Sequence, residues 1–72
     1  MALGTVKFWN DDEDWGVLTS GEVPGEVFAH FSHIEADGFR SLDEGERVEF
    51  DWRQARQDDY DFVAIRVAHL GR

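Results

Sequence analysis

The chain has no cysteine, a single proline and few cations. Without thiols it can build neither a disulfide framework nor a thiolate zinc site. That absence suits a reducing compartment, and the expected location is the cytoplasm. No apolar run approaches the roughly 20 residues that cross a bilayer. The start, Met1-Ala2-Leu3-Gly4, has no basic stretch followed by an apolar one, so no signal peptide is expected. Lys and Arg total 7 against 16 Asp and Glu, giving a net charge of −9. Charge alone argues against a nucleic-acid partner, because backbone affinity comes from neutralising phosphates. Helix is scarce too. Helical spacing occurs only as one turn around Ser32 to Glu35, and no run is long enough for a stable helix.

What the chain does have is apolar and aromatic residues. With 72 residues it makes one small domain, 1–72, and 42% of them are hydrophobic, which separates it from disordered acidic chains. A domain of this size buries only about 60% of the surface its unfolded chain exposes. Six Phe, three Trp and one Tyr exceed what such a core needs.

Glycine and proline divide the sequence into five β-rich runs: Thr5 to Trp9, Trp15 to Thr19, Glu26 to Phe31, Arg47 to Arg53, and Tyr60 to Ala68. The fourth shows the clearest alternation, with Val48, Phe50 and Trp52 opposing Glu49, Asp51 and Arg53. In the fifth, Val63, Ile65 and Val67 share a parity against Ala64 and Arg66. Five strands without a covering helix favour closure, since an open small sheet leaves unpaired edges. The expected fold is all-β, a five-stranded antiparallel OB-fold barrel.

Parity also suggests a site. A barrel interior takes small branched side chains, which places Val27, Ala29, Gly16 and Leu18 inside. Trp15, Val17, Phe28 and His30 then face out on neighbouring strands, with Phe31 and Phe39 bordering them from adjoining loops. Lys7 lies on the outward parity of the first strand. An aromatic patch beside a cation suits single-stranded nucleic acid, because every base has a face that stacks. The competing reading puts these aromatics in the core with the parity reversed. For the whole set that reading is weaker, since it would turn Val27, Ala29 and Leu18 toward water.

Three motifs resemble the cold-shock domain family: Gly4-Thr5-Val6-Lys7-Phe8-Trp9-Asn10, Glu13-Asp14-Trp15-Gly16-Val17-Leu18, and Val27-Phe28-Ala29-His30-Phe31-Ser32. The stretch Ile34 to Val48 is similar to the family's long loop. The resemblance covers almost the whole chain. It implies an OB-type barrel binding single-stranded RNA or DNA, commonly as an RNA chaperone or antiterminator. The site it implies runs through Lys7, Phe8, Trp9, Asn10, Trp15, Val17, Phe28, His30, Phe31 and Phe39. Glu13-Asp14 stands where the family has Lys-Gly, and Val17 stands where it has a second aromatic, so weakened affinity is expected. Phe8-Trp9 matches the family's Trp-Phe pair in reversed order. Strand parity alone would point Phe8 inward and Trp9 outward. The family keeps both near the binding face, which requires a bulge or strong twist.

No nucleophile, catalytic carboxylate pair or phosphate-cradling loop is recognisable, so the chain reads as a binding module, not an enzyme. Asp11, Asp12 and Asp14 lack a calcium-loop pattern, and His30 and His33 lack a third ligand. No metal or cofactor is therefore expected, and the expected state is a monomer. Asp58-Asp59-Tyr60-Asp61 reads as a solvated turn, with docking of a basic protein partner as its alternative. The competing function is an OB barrel turned protein-interaction module that has lost nucleic-acid binding.

Overall fold

The computed structural model describes residues 1–35 and 41–70. Its strands are β1 (Ala2–Asn10), β2 (Trp15–Thr19), β3 (Val27–His30), β4 (Ile34–Glu35), β5 (Arg47–Gln57) and β6 (Tyr60–His69). A 3₁₀ turn, Phe31–His33, separates β3 from β4. The five runs seen in the sequence are the five long strands, and β4 is a two-residue stub against β6. Spatial order is β3-β2-β1-β5-β6-β4, and β6 also pairs with β3, which closes the sheet into an OB-type barrel. This closing seam runs parallel, through Val27↔Phe62 and Phe28↔Val63. Closure removes the exposed edges that a five-stranded sheet would otherwise present.

Val6, Leu18, Val27, Ala29, Val48, Phe50 and Val67 are buried in the barrel interior. The alternation of the fourth run is realised: Val48 and Phe50 are fully buried, and Trp52 packs against the core edge-on to Phe62, ring centroids 5.4 Å apart. Gly4 marks where β1 passes between β2 and β5. A Cβ there would lie 2.9 Å from the Phe50 ring and would overlap the Thr19 carbonyl oxygen.

The last strand departs from simple alternation. Asp51 pairs with Arg66 and Trp52 with Ala64, so Ile65 is an unpaired extra residue. Such a bulge flips the parity on either side of it. Ala64 and Val67 therefore both point inward, while Ile65 is 47% exposed. The shared parity of Val63, Ile65 and Val67 in the sequence does not become one buried row. β5 also runs four residues past Arg53, to Gln57, and a two-residue turn leads to Tyr60. In that turn Asp58 adopts φ 53°, a left-handed conformation that Asp tolerates better than most residues.

Candidate nucleic-acid interface

The outer face begins with a register shift in β1. Val6 pairs with Leu18, but the next pair is Phe8↔Val17, so Lys7 is the extra residue of a bulge. Cross-strand partners lie on the same face of a sheet. Beyond the bulge, Phe8, Val17, Phe28 and Val63 form one outward row across β1, β2, β3 and β6. Asn10, Trp15 and His30 form the next outward row. Trp9, Gly16 and Ala29 form the inward row between them. The parity expectation for Phe8 and Trp9 is thus reversed: Phe8 joins the outer face, and Trp9 packs against the core. Gly16 makes room for that indole. A Cβ at Gly16 would lie 2.5 Å from Trp9 Cε3 and would overlap the Phe8 carbonyl oxygen. The Trp9 Nε1 is buried with no hydrogen-bond partner among the described residues, so this residue presents no polar edge to a ligand.

The outward aromatics form two layers. Trp15 lies flat on Phe28, with centroids 5.2 Å apart and planes 16° from parallel. Phe8 meets Trp15 edge-on at 5.5 Å. Phe28 faces outward as the sequence parity indicates, but it is not the exposed stacking surface expected of it. Only 8% of it is exposed, because Trp15 and Tyr60 cover it. Val17 likewise faces outward and is completely buried, so it supports the rings above it and offers no surface of its own. Trp15, Phe8 and His30 are half-buried, and Phe31 is 36% exposed. His30 and Phe31 sit together with ring centroids 4.7 Å apart. The His30 ring is held by Ser32, whose hydroxyl lies 2.9 Å from Nδ1.

The sequence places Tyr60 at the start of the fifth run and beside an acidic turn, but does not mark it as part of the site. It closes the platform from the β5–β6 side, 6.4 Å from Trp15 and 6.1 Å from Phe28. Its aromatic ring beside an acidic turn was a weak signal, and only the β3–β6 seam brings it to the site. Phe39 lies outside the described residues.

The polar groups around the platform are already engaged. Asn10 Oδ1 accepts from the backbone N–H groups of Asp12 (3.0 Å) and Glu13 (3.1 Å), so its side chain holds the acidic turn in shape. Asp14 ends that turn at φ 59°, and its carbonyl accepts from the Phe31 N–H, which ties the turn to the end of β3. Glu13 reaches back over the face, where its Oε1 accepts from Trp15 Nε1 at 2.8 Å. Lys7, the only lysine, ion-pairs with Glu26. That hydrogen bond and the carboxylate charge hold the Lys7 ammonium above the ordinary lysine range. The structure therefore pairs Lys7 with an acid and sets a second acid on the platform's central indole.

Among the described residues no group of three His, Asp or Glu side chains could hold a metal ion. No helix among them is long and apolar enough to cross a membrane.

Comparison with known proteins agrees with this geometry. The 'Cold-shock' DNA-binding domain model matches residues 2–68. Cold shock protein 1 of Lactiplantibacillus plantarum is 51% identical over 51 residues, 71% of this chain and 76% of that protein. Cold shock protein CspC of Bacillus subtilis is 48% identical over 54 residues, 75% of this chain and 80% of its own length. Among solved structures, Drosophila Unr CSD456 superposes with a TM-score of 0.70 at 28% identity, over 97% of this chain and 26% of that much longer one. The five-stranded barrel, its outward aromatic rows and these matches together make the chain a member of the cold-shock DNA-binding domain family, a nucleic-acid-binding family.

Proposed function

We propose that the chain binds single-stranded RNA or DNA by stacking bases on the platform of Phe8, Trp15, His30, Phe31 and Tyr60, with an affinity lowered by the acids around it. The observation that carries this reading is the outward aromatic cluster in which the half-buried Trp15 stacks on Phe28 at 5.2 Å with Phe8 edge-on beside it. Stacking on such a ring is worth about 1–3 kcal/mol per base with little sequence demand. Phe28 and Val17 form the layer beneath. Pyrimidine runs, which stack and bend freely, are the preferred ligands, and duplex is a poor one because its bases are already paired and stacked. The same reading makes the chain a cytoplasmic monomer that keeps transcripts single-stranded, in the manner of the family's RNA chaperones and antiterminators.

The lowered affinity follows from electrostatics. Lys7 must leave Glu26 before it can meet a phosphate, and Glu13 sits at the edge of Trp15. These same two contacts favour the second reading, a barrel used for protein contacts.

The experiment is a tryptophan-fluorescence titration with pyrimidine-rich single strands and with duplex of the same sequence. Quenching by the single strand, lost in Trp15→Ala while the variant stays folded, is the expected result. Equal binding to duplex, or no binding to any strand, overturns the proposal.

A further inference from the structure

The aromatic platform does not end at β3. A groove of about 590 Å³ continues from it across the β3–β6 seam onto β5 and β6. Phe28 and His30 form its rim on the platform side, and His33, Arg53, Arg56 and Ile65 line its far part. Val63 pairs with Phe28 on one side and with Arg53 on the other. Cross-strand partners share a face, so an apolar floor runs without a break from the platform to Arg53.

The charge of this groove is the reverse of the chain's. The molecule carries −9, yet none of the described residues lining the groove is acidic. Arg56 is ion-paired with Asp61 at the groove's end, whereas Arg53 is exposed and has no ion pair among the described residues. Lys7 on the opposite side of the platform is held by Glu26.

We propose that this groove receives the sugar-phosphate backbone of a single strand as it leaves the platform, with Arg53 as the phosphate contact and Val63 and Ile65 packing against the sugars. The proposal rests on the single-strand reading above. Three observations carry it: continuity with the stacking face through Phe28 and His30, a guanidinium without an ion pair among the described residues of an acidic chain, and the 47% exposure of Ile65 within a strand. A stacked strand turns its phosphates away from the rings, so a cation is needed beside the platform and not under it. Arg53 has that position. An acidic peptide would satisfy the charge, but it would not account for the groove opening out of the aromatic rings.

The test uses the full chain and its Arg53→Gln and Arg53→Lys variants. Three oligothymidylates are titrated: one of about four nucleotides that covers the platform, one of about eight, and one of about eight whose second half is abasic. Each is measured at about 50 mM and about 200 mM salt. Wild type should bind both long strands more tightly than the short one. Arg53→Gln should lose that gain with the short strand's affinity unchanged, and Arg53→Lys should keep most of it. One lost phosphate contact should flatten the slope of log affinity against log salt by about 0.7, or about a threefold smaller loss over that salt range.

Equal affinities of wild type and Arg53→Gln for the long strands, with the short strand bound normally, overturn the groove assignment and leave the platform standing. A gain that requires bases in the second half refutes the backbone contact in favour of stacking. Failure of wild type to bind any strand removes the single-strand reading and the groove's role together. An acidic peptide bound by wild type and lost in Arg53→Gln, with oligonucleotides indifferent, assigns the groove to a protein and overturns the proposal.

Discussion

Replacing Glu13 separates two effects that this carboxylate has on the platform. Glu13 Oε1 accepts from Trp15 Nε1 at 2.8 Å, so the charge lies at the rim of the ring on which a base would stack. A base stacked there would carry its phosphate past the ring edge, at a separation taken as about 7 Å from the carboxylate. Repulsion at that distance is about 0.6 kcal/mol in bulk water and about 2.4 kcal/mol at the effective dielectric of a protein surface. Glu13 is exposed, so the lower value governs. Glu13→Gln keeps an acceptor for the indole and removes only the charge, and it should tighten single-strand binding by about threefold at low salt. Glu13→Lys removes the acceptor and adds a cation. It should bind tighter still and steepen the slope of log affinity against log salt by about 0.7 for one new phosphate contact. Neither change should move stability by more than about 1 kcal/mol, because an exposed charge is weakly coupled to folding. The assay is fluorescence titration of all three proteins with one pyrimidine-rich strand at two salt concentrations, with melting curves as the folding control. Unchanged affinity for both variants would show that no phosphate passes this turn, and the proposal that the acidic turn lowers affinity would fail.

Three further outcomes are expected. Phe28→Ala should cost about 3–5 kcal/mol of stability, as for a core aromatic, since the ring is 8% exposed beneath Trp15; a melting temperature within a degree or two of wild type would show that the ring is not a supporting layer. Gly16→Ala should destabilise by at least the 1–3 kcal/mol usual for overpacking, because its Cβ would meet backbone as well as the Trp9 ring; an unchanged denaturation midpoint would mean Trp9 is not turned inward. Glu26→Gln should free Lys7 for phosphate and raise low-salt affinity for single strands. Lys7 is held above its ordinary value of 10.5, so its charge is complete at neutral pH, and the ion pair with Glu26 fades only as pH rises beyond that value. Identical titrations of Glu26→Gln and wild type would place Lys7 off the strand's path.

The sequence by itself determined the strands and most of their faces. Val48 and Phe50 alternate with Glu49 and Asp51, and Val27 and Ala29 with Phe28 and His30, because strand geometry gives every second side chain the same side. That rule is local and can be applied without knowing which strands meet. It also brought Trp15 and Phe28 to one face, and the motifs around them carried the family resemblance. Only the tertiary structure decided where the rule breaks. A bulge is a property of two strands, since it is defined by two residues opposing one. The bulge at Lys7 turns Phe8 out and Trp9 in, and the one at Ile65 splits an apparent apolar row. Layering is equally nonlocal: Phe28 and Val17 face outward and are still buried, because the large rings of Trp15 and Tyr60 lie over that face. Tyr60 and Arg53 reach the site only because β6 closes on β3, a contact between segments more than thirty residues apart that no periodicity within either strand encodes.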